Sequence, residues 1–286
     1  MTAKKRRIIL SAVVIVEILG LIGLGIYAWI EGGMSPQLTA SQVKIVNSPG
    51  ITMLLNGDPT NTININDFIN DHEGGFSLAE ASSPDGRQLF IRDDTFNPTD
   101  DDTIIFVRDA ESYDQGTTYI SFNFTMRADF DSNEAGTTGA TRAVWLDPTK
   151  CFIRDADGEA IIPIRISVTY SVDGGELHTV ILGEDWPEGT RPATNPVIGY
   201  YPGTYDNHYY HEAMTNNTVQ NVESFSTYAP GLNTELFSLG EGVEATMTIN
   251  IWLEGADPLC VDEPEIGPMI AGGVFDLSLY FTTISE

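Results

Sequence analysis

The sequence predicts an all-β protein: an antiparallel, jelly-roll-like β-sandwich that follows an N-terminal apolar helix. Three observations support this prediction. Residues 1–30 combine a basic cluster with a long apolar run. Beyond them, helical periodicity is nearly absent, and short runs of β-branched and aromatic residues alternate with polar ones. Glycine, asparagine, aspartate and proline separate roughly ten such runs, a spacing typical of sandwiches and jelly rolls.

The N-terminal segment, residues 1–30, is predicted to be a signal peptide or a membrane anchor. Its basic cluster, Lys4–Arg7, should stay on the cytoplasmic side, so the rest of the chain should be exported. The apolar run from Ile8 to Ile30 is long enough for a single transmembrane helix. Alternatively, Ala28 is the small residue that a signal peptidase needs, which predicts cleavage between Ala28 and Trp29. Either outcome places the body at the cell surface or in the extracellular space.

A glutamate inside the apolar run offers a third interpretation of the leader. Glu17 is costly in a membrane-spanning helix, and such residues usually mark a function. The stretch AVVIVEILGLIGLG, residues 12–25, resembles the N-terminal helix of type IV pilins, in which a glutamate follows the cleavage point by a few residues. That resemblance implies a pilin-like subunit that retains its N-terminal helix.

The body, residues 31–286, is predicted to be one β-sandwich domain. The sequence SVDGGEL, residues 171–177, predicts its clearest hairpin, because DGG supplies the positive φ angles of a tight loop. A short helix is expected at 64–72, started by Asn64 or Asn66. Strands are expected at 41–46, 52–56, 87–93, 103–109, 118–128, 142–148, 160–172, 177–183, 243–255 and 273–283.

A long insertion interrupts the strand pattern at residues 184–235. It is rich in proline, glycine, asparagine and tyrosine, and it is too long for an ordinary loop. Exposed tyrosines give contact area at low entropic cost, so the insertion is the candidate recognition surface of a binding module. The alternative is a loop that covers apolar surface of the sheet. The candidate recognition residues are Tyr200, Tyr201, Tyr205, Tyr209 and Tyr210.

The charge of the chain restricts its partners. The formal net charge is −27, and Lys4–Arg7 in the leader hold four of the 14 Lys and Arg residues, so the body is more acidic still. Such a surface repels nucleic acid and anionic lipid and favours solubility. We therefore expect no nucleic-acid partner. The expected partners are other copies of the chain or other surface proteins, and the membrane through the N-terminal helix before or without cleavage.

Two kinds of side chain suggest covalent or metal chemistry. Cys151 and Cys260 are the two cysteines, and an exported chain with an even count predicts a disulfide, the alternative being two buried thiols. Asp129, Asp131 and Asn133 alternate as in the start of a calcium loop, although acidic residues also favour plain turns. No cofactor is expected apart from calcium at this loop. The sequence contains no GxSxG, HExxH or P-loop pattern, so no catalytic residues are assigned and an enzyme is not expected.

Several motifs together resemble the TasA/camelysin-like exported proteins of Gram-positive bacteria. GIYAWIE, residues 25–31, is similar to the end of signal peptides handled by the dedicated peptidase SipW. FSLAEASSPDGRQLFIRD, residues 76–93, resembles an "SP…DG" element of that family. INIWLEGADPLC, residues 249–260, and GGVFDLSLYF, residues 272–281, resemble its closing pair of strands. The landmarks are short, and they are spread over most of the chain.

The resemblance implies a jelly-roll domain at the cell surface or in a biofilm matrix. In some relatives, fibres form when the first strand of one subunit completes the sheet of the next. An exposed sheet edge is a template for an added strand, so the mechanism is physically reasonable. TASQVKIV, residues 39–46, is the candidate donor strand. The expected function is therefore a structural surface or matrix protein, with the binding module and the pilin-like subunit as alternatives.

Overall fold

A computed structural model describes most of the body. The described residues are 38–64, 77–83, 85–92, 103–109, 116–130, 140–161, 163–184, 198–200, 222–232, 234–255 and 273–285. They all belong to one compact unit that runs from Pro36 to Glu286. The predicted leader, its Ala28–Trp29 cleavage point and Glu17 lie outside the described residues.

The described residues form eighteen strands and a short 3₁₀ helix at Phe225–Tyr228. The strands are β1 Leu38–Asn47, β2 Ile51–Leu55, β3 Asp58–Thr60, β4 Thr62–Asn64, β5 Ser77–Leu78, β6 Glu80–Ser82, β7 Phe90–Arg92, β8 Thr103–Asp109, β9 Tyr119–Ala128, β10 Thr141–Leu146, β11 Phe152–Asp155, β12 Ile164–Val172, β13 His178–Gly183, β14 Ile198–Tyr200, β15 Val222–Ser224, β16 Phe237–Gly240, β17 Glu244–Glu254 and β18 Gly273–Ser285.

These strands make two sheets. The first sheet has the order β16-β10-β18-β1-β4, with β11 also pairing β18 and β5 also pairing β1. The second sheet has the order β14-β8-β7-β6-β17-β12-β13-β15. On its other branch, β9 pairs with β17 and β2, and β2 pairs with β3. The strand β18 therefore lies in the middle of the first sheet, and β17 lies in the middle of the second.

The two sheets share one apolar core. In β9 every second residue is buried, so Ile120, Phe122, Phe124 and Met126 face inward. Side chains from the two sheets meet in this core: the rings of Phe124 and Phe281 have centroids 6.4 Å apart. Burying one such side chain contributes about 1.5–3 kcal/mol, so the core is the main source of stability. The architecture is that of a β-sandwich.

The all-β prediction is confirmed for the described residues, and each of the ten predicted runs contains a strand. Two runs are shorter than expected. The strand predicted at 160–172 begins at Ile164, because Pro163 has no backbone N–H for a ladder. The strand predicted at 87–93 is reduced to β7, since the backbone N–H groups of Arg87 and Gln88 donate to Asp85 Oδ1 in a turn (2.8 and 2.9 Å).

The prediction of a purely antiparallel body is wrong, because both sheets are mixed. β1 runs parallel to β18, β6 to β17, β13 to β15, and β14 to β8. Turn signals reveal antiparallel neighbours joined by short loops, whereas parallel neighbours need long crossovers that leave no local signature. The jelly-roll connectivity stays a prediction.

Two hairpins turn at residues that have positive φ angles. Asp173 and Gly174 have φ angles of 51° and 68°, and β12 and β13 pair antiparallel on either side of them, which confirms the DGG hairpin. A second hairpin joins β2 to β3 through Asn56 and Gly57, with φ angles of 53° and 89°. Asn64 ends β4, and the rest of the helix predicted at 64–72 lies outside the described residues, so that helix stays a prediction.

Candidate functional site

The predicted donor strand is an interior strand of its own sheet. β1 pairs in parallel with β18 from Leu38↔Gly273 to Asn47↔Phe281, with one irregularity between Ala40 and Gln42. Its other edge pairs with β4 and β5. Within this chain the strand therefore already occupies the place that a donated strand would take.

Alternation along β1 anchors it in the core. Val43 and Ile45 are 1% and 0% exposed, whereas Lys44 and Val46 on the opposite face are partly exposed. On the neighbouring strand, Leu277 and Leu279 are equally buried and stand beside Val43 and Ile45 in register. Removal of β1 would expose these partners to water, so the slot between β18 and β4 requires an occupant.

A three-residue hinge segment, Ser48–Gly50, connects β1 to β2, which belongs to the other sheet. The Ser48 N–H donates to the Phe281 carbonyl at 2.9 Å, and Asn47 Nδ2 bridges the hinge by donating to the Ile51 carbonyl. Gly50 has a φ of 98°, and a Cβ built there would lie 3.1 Å from Thr283 Oγ1. Only glycine fits this position without strain.

Two of the motifs behind the family resemblance, at 76–93 and 249–260, meet on the second sheet. Ser82 of β6 donates to Glu254 Oε1 at 2.6 Å, and Trp252 Nε1 donates to Glu254 Oε2 at 2.9 Å. Glu254 is 3% exposed. The Gly255 N–H donates to the Ala81 carbonyl at 2.9 Å, so the residues just before SPDG are joined to WLEG by both backbone and side chains. This buried carboxylate is satisfied by its donors and holds two strands together.

The turn that follows β6 covers the outer face of the second sheet. The Gly86 carbonyl accepts hydrogen bonds from Ser167 of β12 and from Asn250 Nδ2 of β17, the latter at 2.9 Å. Both donors are buried, at 0% and 5% exposure. Beside this turn, Leu89 and Ile91 pack in a second apolar cluster with Ala81, Ile181 and Trp252. The SPDG motif therefore has a packing role in this fold.

The candidate calcium residues are only partly described. Asp129 follows β9, and its Oδ2 accepts from Thr52 Oγ1 at 2.5 Å. Arg127 Nε lies 3.9 Å from Asp129 Oδ1. Asp131 and Asn133 lie outside the described residues, so the calcium site stays a prediction. Within the part of the chain that the structure describes, no group of three or more His, Cys, Asp and Glu could hold a metal ion.

Another acidic segment shows that aspartates in such sequences can stabilise a turn through hydrogen bonds. In RDADGE, residues 154–159, Asp155 Oδ1 accepts from the backbone N–H groups of Asp157 and Glu159 at 3.0 and 2.8 Å. Here the carboxylate stabilises a turn. The acidic turn at 97–102 lies outside the described residues.

Of the two cysteines, Cys151 is among the described residues. Cys151 is a buried free thiol, and burial raises its pKa to about 12. Its Sγ accepts a hydrogen bond from the Tyr280 N–H at 3.3 Å. The thiol is therefore protonated at neutral pH and is a poor nucleophile. Cys260 lies outside the described residues, so the disulfide stays a prediction.

The recognition loop is also mostly outside the described residues. Tyr200 ends β14, which pairs in parallel with β8 at Tyr200↔Ile105. Tyr201, Tyr205, Tyr209 and Tyr210 are not described. The binding-module alternative therefore stays a prediction.

Sequence reasoning missed the polar contacts that organise the hinge and the SPDG turn. Arg142 of β10 donates from Nε to the Asp129 carbonyl at 2.9 Å, next to the hinge segment. NSPG at 47–50 is a turn signal that could have located the hinge. Glu254, a carboxylate at the end of a strongly apolar strand, is likewise a signal of a buried polar partner.

Comparison with known proteins leaves the family open. Among the residues that the structure describes, no helix has the length and apolar character needed to cross a bilayer. The TasA/camelysin-like assignment stays a prediction that rests on the quoted motifs. No protein-family model, curated protein or solved structure matches this chain.

Proposed function

We propose that the protein is an exported structural subunit of a cell surface or extracellular matrix, and that copies assemble by exchanging β1. The observation that carries the proposal is the parallel pairing of β1 with β18. No hairpin ties these two strands together, and on its C-terminal side β1 is joined to the body by Ser48–Gly50. A β1 donated by a second copy would make the same pairs in the same register.

Burial of apolar side chains favours a β1 strand in the slot between β18 and β4 at all times. Val43 and Ile45 are fully buried, and each such side chain contributes about 1.5–3 kcal/mol. The same contacts are satisfied by the chain's own strand or by a neighbour's strand, so the equilibrium depends on hinge strain and on protein concentration. The apolar leader and the acidic body are consistent with a soluble exported subunit. The proposal assigns the protein no reaction.

A cysteine pair can distinguish the two origins of β1. Lys44 and Asn64 are directly opposite in the antiparallel β1–β4 pair, and both are partly exposed. We expect the variant K44C/N64C, in a C260S background, to form a disulfide inside the monomer. When assembled material is oxidised, the same pair should link neighbouring copies. The measurement is a non-reducing denaturing gel, on which a covalent ladder is expected.

The matched control is T169C/T179C. These threonines are opposite each other in the β12–β13 hairpin, with their Oγ atoms 3.0 Å apart, and a local hairpin is not exchanged. This control should give monomers before and after assembly. Oxidising K44C/N64C before assembly should block filaments in electron micrographs. A single monomer band from assembled K44C/N64C would rule out exchange of β1.

A further inference from the structure

Three side chains enclose the hinge segment, and we infer that they set the rate at which β1 leaves its own sheet. They are Thr52 of β2, Asp129 after β9 and Arg142 of β10, here called the hinge clasp. The inference rests on the proposed function, because it concerns regulation of the same strand exchange. It adds a physical control: β1 cannot swing out until the clasp releases the hinge.

Asp129 holds the body side of the hinge. Its backbone N–H donates to the Gly50 carbonyl at 2.9 Å, which extends the β2–β9 ladder to the last residue of the hinge segment. Its carboxylate accepts from Thr52 Oγ1 at 2.5 Å. Backbone rotation at Gly50 therefore breaks the first bond, and the second bond keeps Asp129 fixed against β2. Asp129 restricts the mobile part of the hinge to Ser48 and Pro49.

Arg142 closes the clasp from the other sheet. Its Nε donates to the Asp129 carbonyl at 2.9 Å, and its guanidinium lies over the Phe130 ring with Cζ 5.3 Å from the centroid. The guanidinium also lies against the hinge, since a Cβ built on Gly50 would be 3.5 Å from Arg142 Nη1. One side chain thus spans the two sheets at the point where β1 would pivot.

The strand β18 holds the opposite side of the hinge. The Ser48 N–H donates to the Phe281 carbonyl at 2.9 Å, and Thr283 Oγ1 donates to the Pro49 carbonyl at 3.4 Å. Releasing β1 requires these two bonds to break, while the clasp keeps the Gly50 end of the hinge in place. Contacts that exist only while the hinge is closed slow its opening without changing the core.

The test is hydrogen–deuterium exchange of the unassembled protein carrying Arg142→Ala. We expect the β1 amides, residues 38–47, to exchange about fivefold faster than in the wild type, as loss of one or two partly exposed hydrogen bonds allows. Amides of β12, residues 164–172, should be unchanged. A second variant, Asp129→Ala, should also accelerate β1, because it removes the carboxylate that binds Thr52.

The control variant is Arg154→Ala. Arg154 lies in β11 of the same sheet, with its Cζ 5.0 Å from the Phe152 ring centroid, so this change removes a similar stacked arginine away from the hinge. It should leave β1 exchange unchanged. Equal acceleration in both arginine variants, or equal acceleration of β1 and β12 in R142A, would overturn the clasp.

Assembly is measured separately, by the gel ladder of K44C/N64C with and without R142A. Faster β1 exchange with faster ladder formation supports both proposals. Faster β1 exchange with no ladder upholds the clasp and rejects strand exchange as the function. A ladder whose rate is unchanged, with β1 amides exchanging as in the wild type, rejects the clasp and leaves the assembly proposal standing.

Discussion

Gly86 is a residue whose environment explains a motif. A Cβ at this position would lie 2.7 Å from Ser167 Cβ and 3.0 Å from Ile181 Cγ1, and its φ is 74°. Gly86→Ala should therefore destabilise the protein by about 2–4 kcal/mol, from left-handed backbone strain plus overpacking against two strands. Urea unfolding measures the loss.

Gly57→Ala separates the two causes. Gly57 has a similar φ of 89°, and nothing lies within 4 Å of a Cβ built there. That variant should lose only about 1 kcal/mol, the cost of the backbone conformation alone. Equal losses in the two variants would show that the close packing of the SPDG turn is unimportant for stability.

For single residues, the sequence predicts which ones form turns, but it does not predict which distant residues they contact. DGG at 173–175 indicates positive φ angles, and two of them are found. Gly86 of the SPDG motif also has a positive φ, of 74°. The contact of Gly86 with Ser167 joins residues distant in the chain, so no local pattern contains it. The same limit applies to Asp129, whose partners come from β2 and β10.

At the scale of elements, the short parallel pair of β6 and β17 depends on a side-chain clamp. Only Glu80 and Ala81 are in register with Leu253 and Glu254. Glu254→Ala would leave the buried Ser82 hydroxyl and Trp252 N–H without this acceptor. We expect a loss of about 3–5 kcal/mol, since each buried donor left unsatisfied costs about 1–3 kcal/mol. Chemical denaturation checks the value.

The same strand supplies the control for this variant. Glu244 is exposed at the other end of β17, so Glu244→Ala should change stability by less than about 0.5 kcal/mol. A loss in E254A no larger than that in E244A would contradict the clamp.

Length and alternation decide which elements the sequence predicts. Long strands such as β9 and β17 alternate over ten or eleven residues and were predicted within one or two residues of their ends. Strands of two to four residues are too short to show a period. Apart from β7, the strands of this length were not predicted, and they are β3, β4, β5, β6, β11, β14, β15 and β16.

The whole molecule is governed by its charge. A formal charge of −27 on one chain opposes the compact state through self-repulsion. Raising NaCl from 20 to 500 mM should stabilise the fold by on the order of 2 kcal/mol, which is about 5 °C in the melting midpoint for a body of this size. Calorimetry or circular dichroism checks the shift.

Two comparisons complete the salt experiment. CaCl₂ and MgCl₂ at equal ionic strength separate screening from the predicted calcium site, because specific binding stabilises only with the ion that is bound. The electrostatic screening length shortens several-fold between 20 and 500 mM NaCl. A melting midpoint that falls or stays constant over this range would show that self-repulsion is unimportant.

The candidate assembly site illustrates what whole-chain reasoning can predict. The family resemblance, together with its position just after the leader, predicts TASQVKIV as a donor strand. Its location between β18 and β4 was not predictable, because parallel partners more than 200 residues apart leave no shared local signal, as the pair Val43↔Leu277 illustrates. The hinge clasp was also beyond prediction, since its members come from β2, from β10 and from the residue after β9.

Because β1 and β18 run parallel, the start of β1 and the end of β18 lie at opposite ends of the first sheet. Leu38 lies beside Gly273, and the chain then runs the full length of β18 before Ser285. At about 3.3 Å per residue, a strand of this length spans roughly 40 Å. A fluorophore placed just before Leu38 and another placed after Ser285 would thus report from opposite ends of the first sheet, which gives a molecular ruler along its strands.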